Sequence, residues 1–317
     1  MRALVWDGHV LRVAERPKPL PTPGMALVRV AVAGICSTDL ELVKGYMDFR
    51  GVLGHEFVGS VEDGPDEWRG KRVVAEINFA CGACRSCRGG LRRHCPTRRV
   101  MGILNADGAF AEYVAVPVAN LHLVPDGVDD DSAAFAEPLA AAFEILEQIR
   151  LQPTTRCVVL GDGKLGLLVS QVLSEAGADV LAVGKHADKL AILQARGIDT
   201  VLVADWDRAA ADLVVESTGS AGGFGAALAA TRPRGVLVLK STLADAERLN
   251  LAPLVINEIT VVGSRCGSFT PALRALQAGS IDVRSLISAR RPLCEGAAAL
   301  ELASRPGVMK VLLDAGT

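Results

Sequence analysis

The chain is expected to be an α/β protein of two domains, a barrel-like antiparallel domain and a doubly wound parallel sheet. Three observations lead there. Short strand-like runs broken by Gly and Pro fill the first part, apolar strands alternate with helical stretches further on, and a Gly-x-Gly-x-x-Gly run stands where that alternation begins. With 317 residues there is chain enough for two hydrophobic cores.

In the first domain, strands are expected over residues 2–6, 26–32, 58–61, 72–76 and 111–116, each short and apolar. Around Glu137 the texture changes, and residues 138–148, rich in Ala, Leu and Glu, read as a helix. Strands at 157–160, 180–183, 201–203, 213–215, 236–239 and 260–262 follow, with helices at 164–176 and 189–196. Such alternation builds a parallel sheet. From Pro271 onward a helix, a strand at 286–288 and a final strand at 310–313 are expected to return to the first domain. Domains are accordingly drawn at 1–138 (catalytic, with a metal loop), 139–267 (dinucleotide-binding) and 268–317 (return to the catalytic domain).

Half of the residues are hydrophobic, yet no uninterrupted apolar run is long enough for a membrane span, and Met1 leads directly into a strand-like segment. A cytoplasmic protein without a membrane partner is expected. The net charge of -2 gives no reason to expect nucleic acid. Eight cysteines without an export signal point to metal ligands and buried thiols, and Cys157, Cys266 and Cys294 are expected to be ordinary core or interface residues.

Four of the eight, Cys81, Cys84, Cys87 and Cys95, are spaced C-x2-C-x2-C-x7-C. Four thiolates close a tetrahedral zinc site and leave no position for chemistry, so this loop reads as structural. Gly82, Ala83, Gly89 and Gly90 permit the tight turns, and Arg85, Arg88, Arg92 and Arg93 offset the negative charge. An iron-sulfur cluster is the competing metal reading, but the last gap is seven residues rather than the roughly three of the ferredoxin run. Disulfides or free thiols are the remaining alternatives.

Gly161-Asp162-Gly163-Lys164-Leu165-Gly166 lies directly after an expected strand and opens an expected helix, which is the context a dinucleotide-binding motif requires. Gly161 makes the turn, Gly163 lets backbone approach a pyrophosphate, and Gly166 lets helix and strand pack closely. The competing reading is a plain strand-turn-helix. About twenty residues on, NAD sites carry Asp or Glu for the ribose hydroxyls. Here the second strand ends Gly184-Lys185-His186, with no carboxylate, so NADP is favoured and NAD remains possible; the alternative is a solvated turn that leaves cofactor choice open. Thr218 and Ser241 follow later strands, at the ends where ligands bind.

Upstream stand Gly34-Ile35-Cys36-Ser37-Thr38-Asp39 and Gly54-His55-Glu56, and Glu137 precedes Pro138. Alone, His55 could be a core histidine and Glu137 a helix-end carboxylate. Together with the cysteine loop and the glycine motif, in this order and over nearly the whole chain, they resemble the zinc-dependent medium-chain dehydrogenase/reductase family of alcohol, polyol, threonine and glucose dehydrogenases. The resemblance implies a GroES-like catalytic domain and a Rossmann domain. It implies a catalytic zinc held by Cys36, His55 and Glu137, with Glu56 able to attach or withdraw, and hence two zinc ions per chain. Such a ligand set leaves an open corner where the metal acts as a Lewis acid on a hydroxyl while hydride leaves the adjacent carbon for the nicotinamide.

By the same likeness the Thr38 hydroxyl bonds the substrate oxygen and Glu41 continues the proton path. Thr38-Asp39-Leu40-Glu41 also fits a capping box that simply starts a helix. Many alcohol dehydrogenases of the family have histidine where Glu41 stands, and the glutamate is similar to the archaeal glucose dehydrogenases. The implied function is an NADP-preferring oxidoreductase of a secondary alcohol, polyol or sugar. The alternatives are an aldehyde or ketone reductase, or an NADPH-binding protein without turnover. The family is usually dimeric or tetrameric, so a homodimer or homotetramer is expected. Tyr46, Met47, Phe49 and Asn105 are candidates for a pocket.

Overall fold

The computed structural model describes residues 1–242 and 249–316. It divides into two units, one of Met1–Glu137, Phe269–Gly279 and Val283–Thr317, the other of Pro138–Ser268 and Ser280–Asp282. The short excursion at Ser280–Asp282 has a local cause. The buried Gln171 side chain accepts from the Asp282 N–H at 2.7 Å and donates to its carbonyl at 3.1 Å.

The first unit is built on the ten-residue strand Met25–Gly34, which pairs antiparallel with Glu56–Asp63, Tyr113–Pro117 and Lys310–Asp314. Its Val- and Ala-rich sequence is buried along most of its length, as suits the central strand of a sheet. The register decides what meets what. Gly34 stands opposite both Glu56 and Leu312, so one end of this sheet gathers residues from three strands that lie far apart in the sequence. The strand Leu11–Glu15, which pairs with Arg2–Trp6 throughout its length, was not expected; it is half exposed and lacks a strong apolar signal.

The second unit is a six-stranded, all-parallel sheet in the order Asp199–Leu202, Asp179–Gly184, Arg156–Leu160, Ala211–Glu216, Thr231–Leu239, Thr260–Gly263. This is the strand order of a doubly wound dinucleotide fold, and it reverses between Arg156–Leu160 and Ala211–Glu216. The apolar run Cys157, Val158, Val159 and Leu160 is buried on both faces, as a central parallel strand must be. Helices Gly223–Ala230 and Ala252–Ile256 were not expected, the first because Gly222 at its cap and Gly223 and Gly225 in its first turn hide a helix from propensity reasoning. Among the described residues no helix is long and apolar enough to cross a membrane.

Candidate active site

At the end of the first unit's sheet, Cys36, His55 and Glu56 each bring one ligand atom to within 4.8 Å of the other two. Each arrives for a structural reason. Cys36 follows the central strand and caps the helix Ser37–Leu42, while His55 and Glu56 lead into the strand paired with it. His55 and Glu56 are buried, and Gly34 leaves room for the carboxylate, since a Cβ there would lie 2.6 Å from Glu56 Oε2. Glu56 Oε1 is buried without a hydrogen-bond partner. A thiol, an imidazole and an otherwise unsatisfied carboxylate oxygen are the donors that zinc prefers, and three such ligands leave one corner open.

Two residues that sequence reasoning gave no role hold this group in place. Asp39 is wholly buried; its Oδ2 accepts from the Cys36 N–H at 2.8 Å, and its Oδ1 accepts from the Gly54 N–H at 3.3 Å and lies 3.3 Å from His55 Nδ1. Lys310, from the last strand, is buried to the same degree as Glu56 and pairs with its Oε2, while donating to the Ile35 carbonyl at 3.3 Å. Burial pushes Lys310 down, but the Glu56 charge more than offsets this and keeps the amine protonated.

Glu137 lies half-buried in the first turn of the helix Ala136–Gln148, outside the group of three whose ligand atoms converge, and the segment carrying His55 delivers Glu56 into the same space as Cys36. The capping box falls elsewhere than expected. The cap is Cys36 with Asp39 at the third helical position, so Thr38 lies inside the helix with its hydroxyl 3.8 Å from Cys36 Sγ. Glu41 is exposed and accepts from Lys44 at 2.8 Å.

The cysteine loop assembles as its spacing requires. Sγ atoms of Cys95 and Cys81 are 3.6 Å apart, those of Cys84 and Cys95 3.9 Å, and those of Cys81 and Cys87 4.0 Å. A tetrahedron with Zn–S bonds of about 2.3 Å has edges of about 3.8 Å, so four thiolates at these separations fit one zinc ion and are too far apart for disulfides. The Cys81 N–H points at Cys95 Sγ and, with Thr97, lowers that thiol to about 6. Burial raises Cys87 to about 11.

In the second unit, Gly161 takes a φ of +115°, and a Cβ on it would meet the Ser217 carbonyl at 2.7 Å. A Cβ on Gly166 would fall 1.9 Å from the Gly161 carbonyl, the close helix-strand approach the motif demands. Gly163 caps the helix Lys164–Glu175 with open space at its Cβ position, where backbone N–H groups can receive a phosphate. Lys164 and Leu165 begin that helix, half-buried. Thr218 donates to Glu216 at 2.6 Å within its own loop, and Ser241 accepts from the Gly219 N–H at 2.9 Å, which ties the loops after neighbouring strands together. At the second strand end, Gly184 is buried, Lys185 and His186 are exposed, and a carboxylate is present after all. Asp162, from the glycine loop, occupies the space beside Gly184.

Comparison with known proteins agrees with the two-part fold. Residues 22–126 match the alcohol dehydrogenase GroES-like domain and residues 165–278 the zinc-binding dehydrogenase domain. A sorbitol dehydrogenase of Halalkalibacterium halodurans is 31% identical over 99% of both chains. The chain belongs to the zinc-dependent medium-chain alcohol dehydrogenase-like family. Among solved structures, the alcohol dehydrogenase TADH from Thermus sp. ATN1 is 30% identical with a TM-score of 0.90 over 99% of both chains. A putative zinc-binding dehydrogenase from Sinorhizobium meliloti, bound to NADP, is 28% identical with a TM-score of 0.90 over 99% of this chain and 98% of that one.

As a member of this family the chain is a zinc-type alcohol dehydrogenase-like oxidoreductase. The first unit also contains a cavity of about 400 Å3, lined by Met47, Asp48, Phe49, Arg50, Asn105 and Asp107 among others. Three of the four residues named from sequence as pocket candidates belong to it, and charged groups accompany them.

Proposed function

We propose that this dehydrogenase oxidises a secondary hydroxyl of a polyol or sugar, with catalytic zinc held by Cys36, His55 and Glu56 and a second, structural zinc held by Cys81, Cys84, Cys87 and Cys95. The observation that carries the reading is the convergence of a thiol, an imidazole and an unpartnered buried carboxylate oxygen beside a threonine hydroxyl. Zinc, when bound, supplies Lewis acidity to the substrate hydroxyl, and the nicotinamide accepts the hydride. The residues do the rest. Asp39 fixes Cys36 and His55, Lys310 balances the charge of Glu56, and Thr38, free of capping, presents its hydroxyl as the group through which the substrate proton leaves.

The hydroxyl-rich substrate class is supported by the likeness to a sorbitol dehydrogenase along nearly the whole chain. The NADP preference expected from Gly184, Lys185 and His186 loses its premise, because the strand end has a carboxylate beside it. Assembly as a homodimer or homotetramer belongs to the same reading: Thr260–Gly263 is an edge strand, and Val255 and Ile256 on the preceding helix are largely exposed, an edge that a second copy would cover.

The test follows NADH and NADPH absorbance with the zinc-loaded protein across polyols, sugars, simple alcohols and aldehydes. Highest kcat/KM on a polyol or sugar is expected. Turnover confined to simple aldehydes or ketones would favour the reductase alternative, and no turnover on any of them would sink the reading.

A further inference from the structure

We propose that Asp162 is the carboxylate that receives the adenosine ribose hydroxyls, so that the site takes NAD(H) in preference to NADP(H). The proposal rests on the dinucleotide reading of the second unit. In a doubly wound sheet, ribose recognition falls to an acidic side chain at the end of the second strand, about twenty residues past the glycines. Here that strand, Asp179–Gly184, ends in a residue without a side chain. The space is filled from elsewhere. A Cβ on Gly184 would lie 2.6 Å from Asp162 Cβ and 2.7 Å from its Oδ2, so the Asp162 side chain stands where a strand-end side chain would stand.

The carboxylate is also fixed. Its Oδ2 lies 2.6 Å from the Lys185 N–H nitrogen, 2.6 Å from that of His186 and 2.9 Å from His186 Nδ1. All these bonds fall on one oxygen, leaving Oδ1 to accept from a hydroxyl of a ligand. Burial raises Asp162, but the His186 and Lys185 hydrogen bonds more than offset this and hold it ionised. A fixed anion suits ribose hydroxyls and repels a 2'-phosphate. The His186 ring, offered by the sequence to that phosphate, is turned to Asp162 instead. In the sequence motif this position, between the first two glycines, is written as any residue, which is why the swap with Gly184 is invisible there.

The experiment titrates zinc-loaded protein with NADH and with NADPH by nucleotide fluorescence, needing no substrate. Wild type, Asp162→Asn, and the pair Asp162→Gly with Gly184→Asp are compared, the pair because removing the Asp162 Cβ clears the space that a side chain at 184 needs. Wild type is expected to bind NADH about tenfold or more tightly than NADPH, Asp162→Asn to lose about tenfold of that ratio, and the double variant to regain it. A purely structural Asp162 would weaken both nucleotides equally and leave the ratio unchanged, overturning the proposal. So would a wild type that favours NADPH. Binding of neither nucleotide by wild type would overturn it together with the dinucleotide reading, whereas inactivity on polyols touches neither.

Discussion

Replacing Lys310 by Met removes the only described cation paired with buried Glu56, each side chain being 1% exposed. Methionine fills similar volume without charge, so what is lost is the charge balance and the hydrogen bond to the Ile35 carbonyl. An uncompensated buried carboxylate costs about 3–5 kcal/mol. Against a total stability of about 5–15 kcal/mol, that is a large fraction. Urea unfolding followed by circular dichroism, on protein stripped of metal by a chelator, should therefore show Lys310→Met strongly destabilised. Adding Glu56→Gln should recover most of the loss, because a neutral pair no longer buries a charge. In zinc-loaded protein the single variant should lose less, since a cation at the Cys36, His55 and Glu56 group shares the charge of Glu56. A double variant no more stable than the single, or a single variant that costs less than about 1 kcal/mol in stripped protein, would refute the charge-balance argument.

Thr38→Val should lower kcat about 100-fold or more while changing stability by no more than about 0.5 kcal/mol, because the helix cap belongs to Cys36 and Asp39; a variant retaining activity would remove Thr38 from the proton path. Glu41→Gln, a change on an exposed side chain bonded to Lys44, should leave the pH profile of oxidation unaltered. Metal analysis should give two zinc ions per chain, with Cys87→Ser losing one ion and thermal stability and Cys36→Ser losing turnover with little change in melting; a wild-type ratio near one would sink the two-site assignment.

What the sequence made legible was local. The cysteine loop and the glycine motif have ligands and turns within a few residues of one another, so spacing alone predicts their geometry, and the parallel sheet follows from the alternation around them. Lys310 was not legible, because its partnership with Glu56 spans 254 residues and is created by the register that sets Gly34 opposite both Glu56 and Leu312. The capping box misled by a small shift: Thr38 and Glu41 satisfy the pattern, but Asp39 makes the bond because Cys36, an unusual cap, starts the helix. Glu137 marks another limit: the family pattern names Glu56 and Glu137 together, and only the fold shows that Glu56 is the one converging with Cys36 and His55. Gly184 was read as an absence, and only packing shows that Asp162 fills it.

The strand that carries Lys310 makes the centre dependent on a distant docking event. Lys310 reaches Glu56 only when Lys310–Asp314 lies beside Met25–Gly34, and 254 residues separate the two partners. Whenever that strand is undocked, Cys36, His55 and Glu56 stand as metal-seeking side chains without the group that balances them. Any change that loosens the strand is therefore felt as a loss of charge control at residues it is nowhere near in sequence.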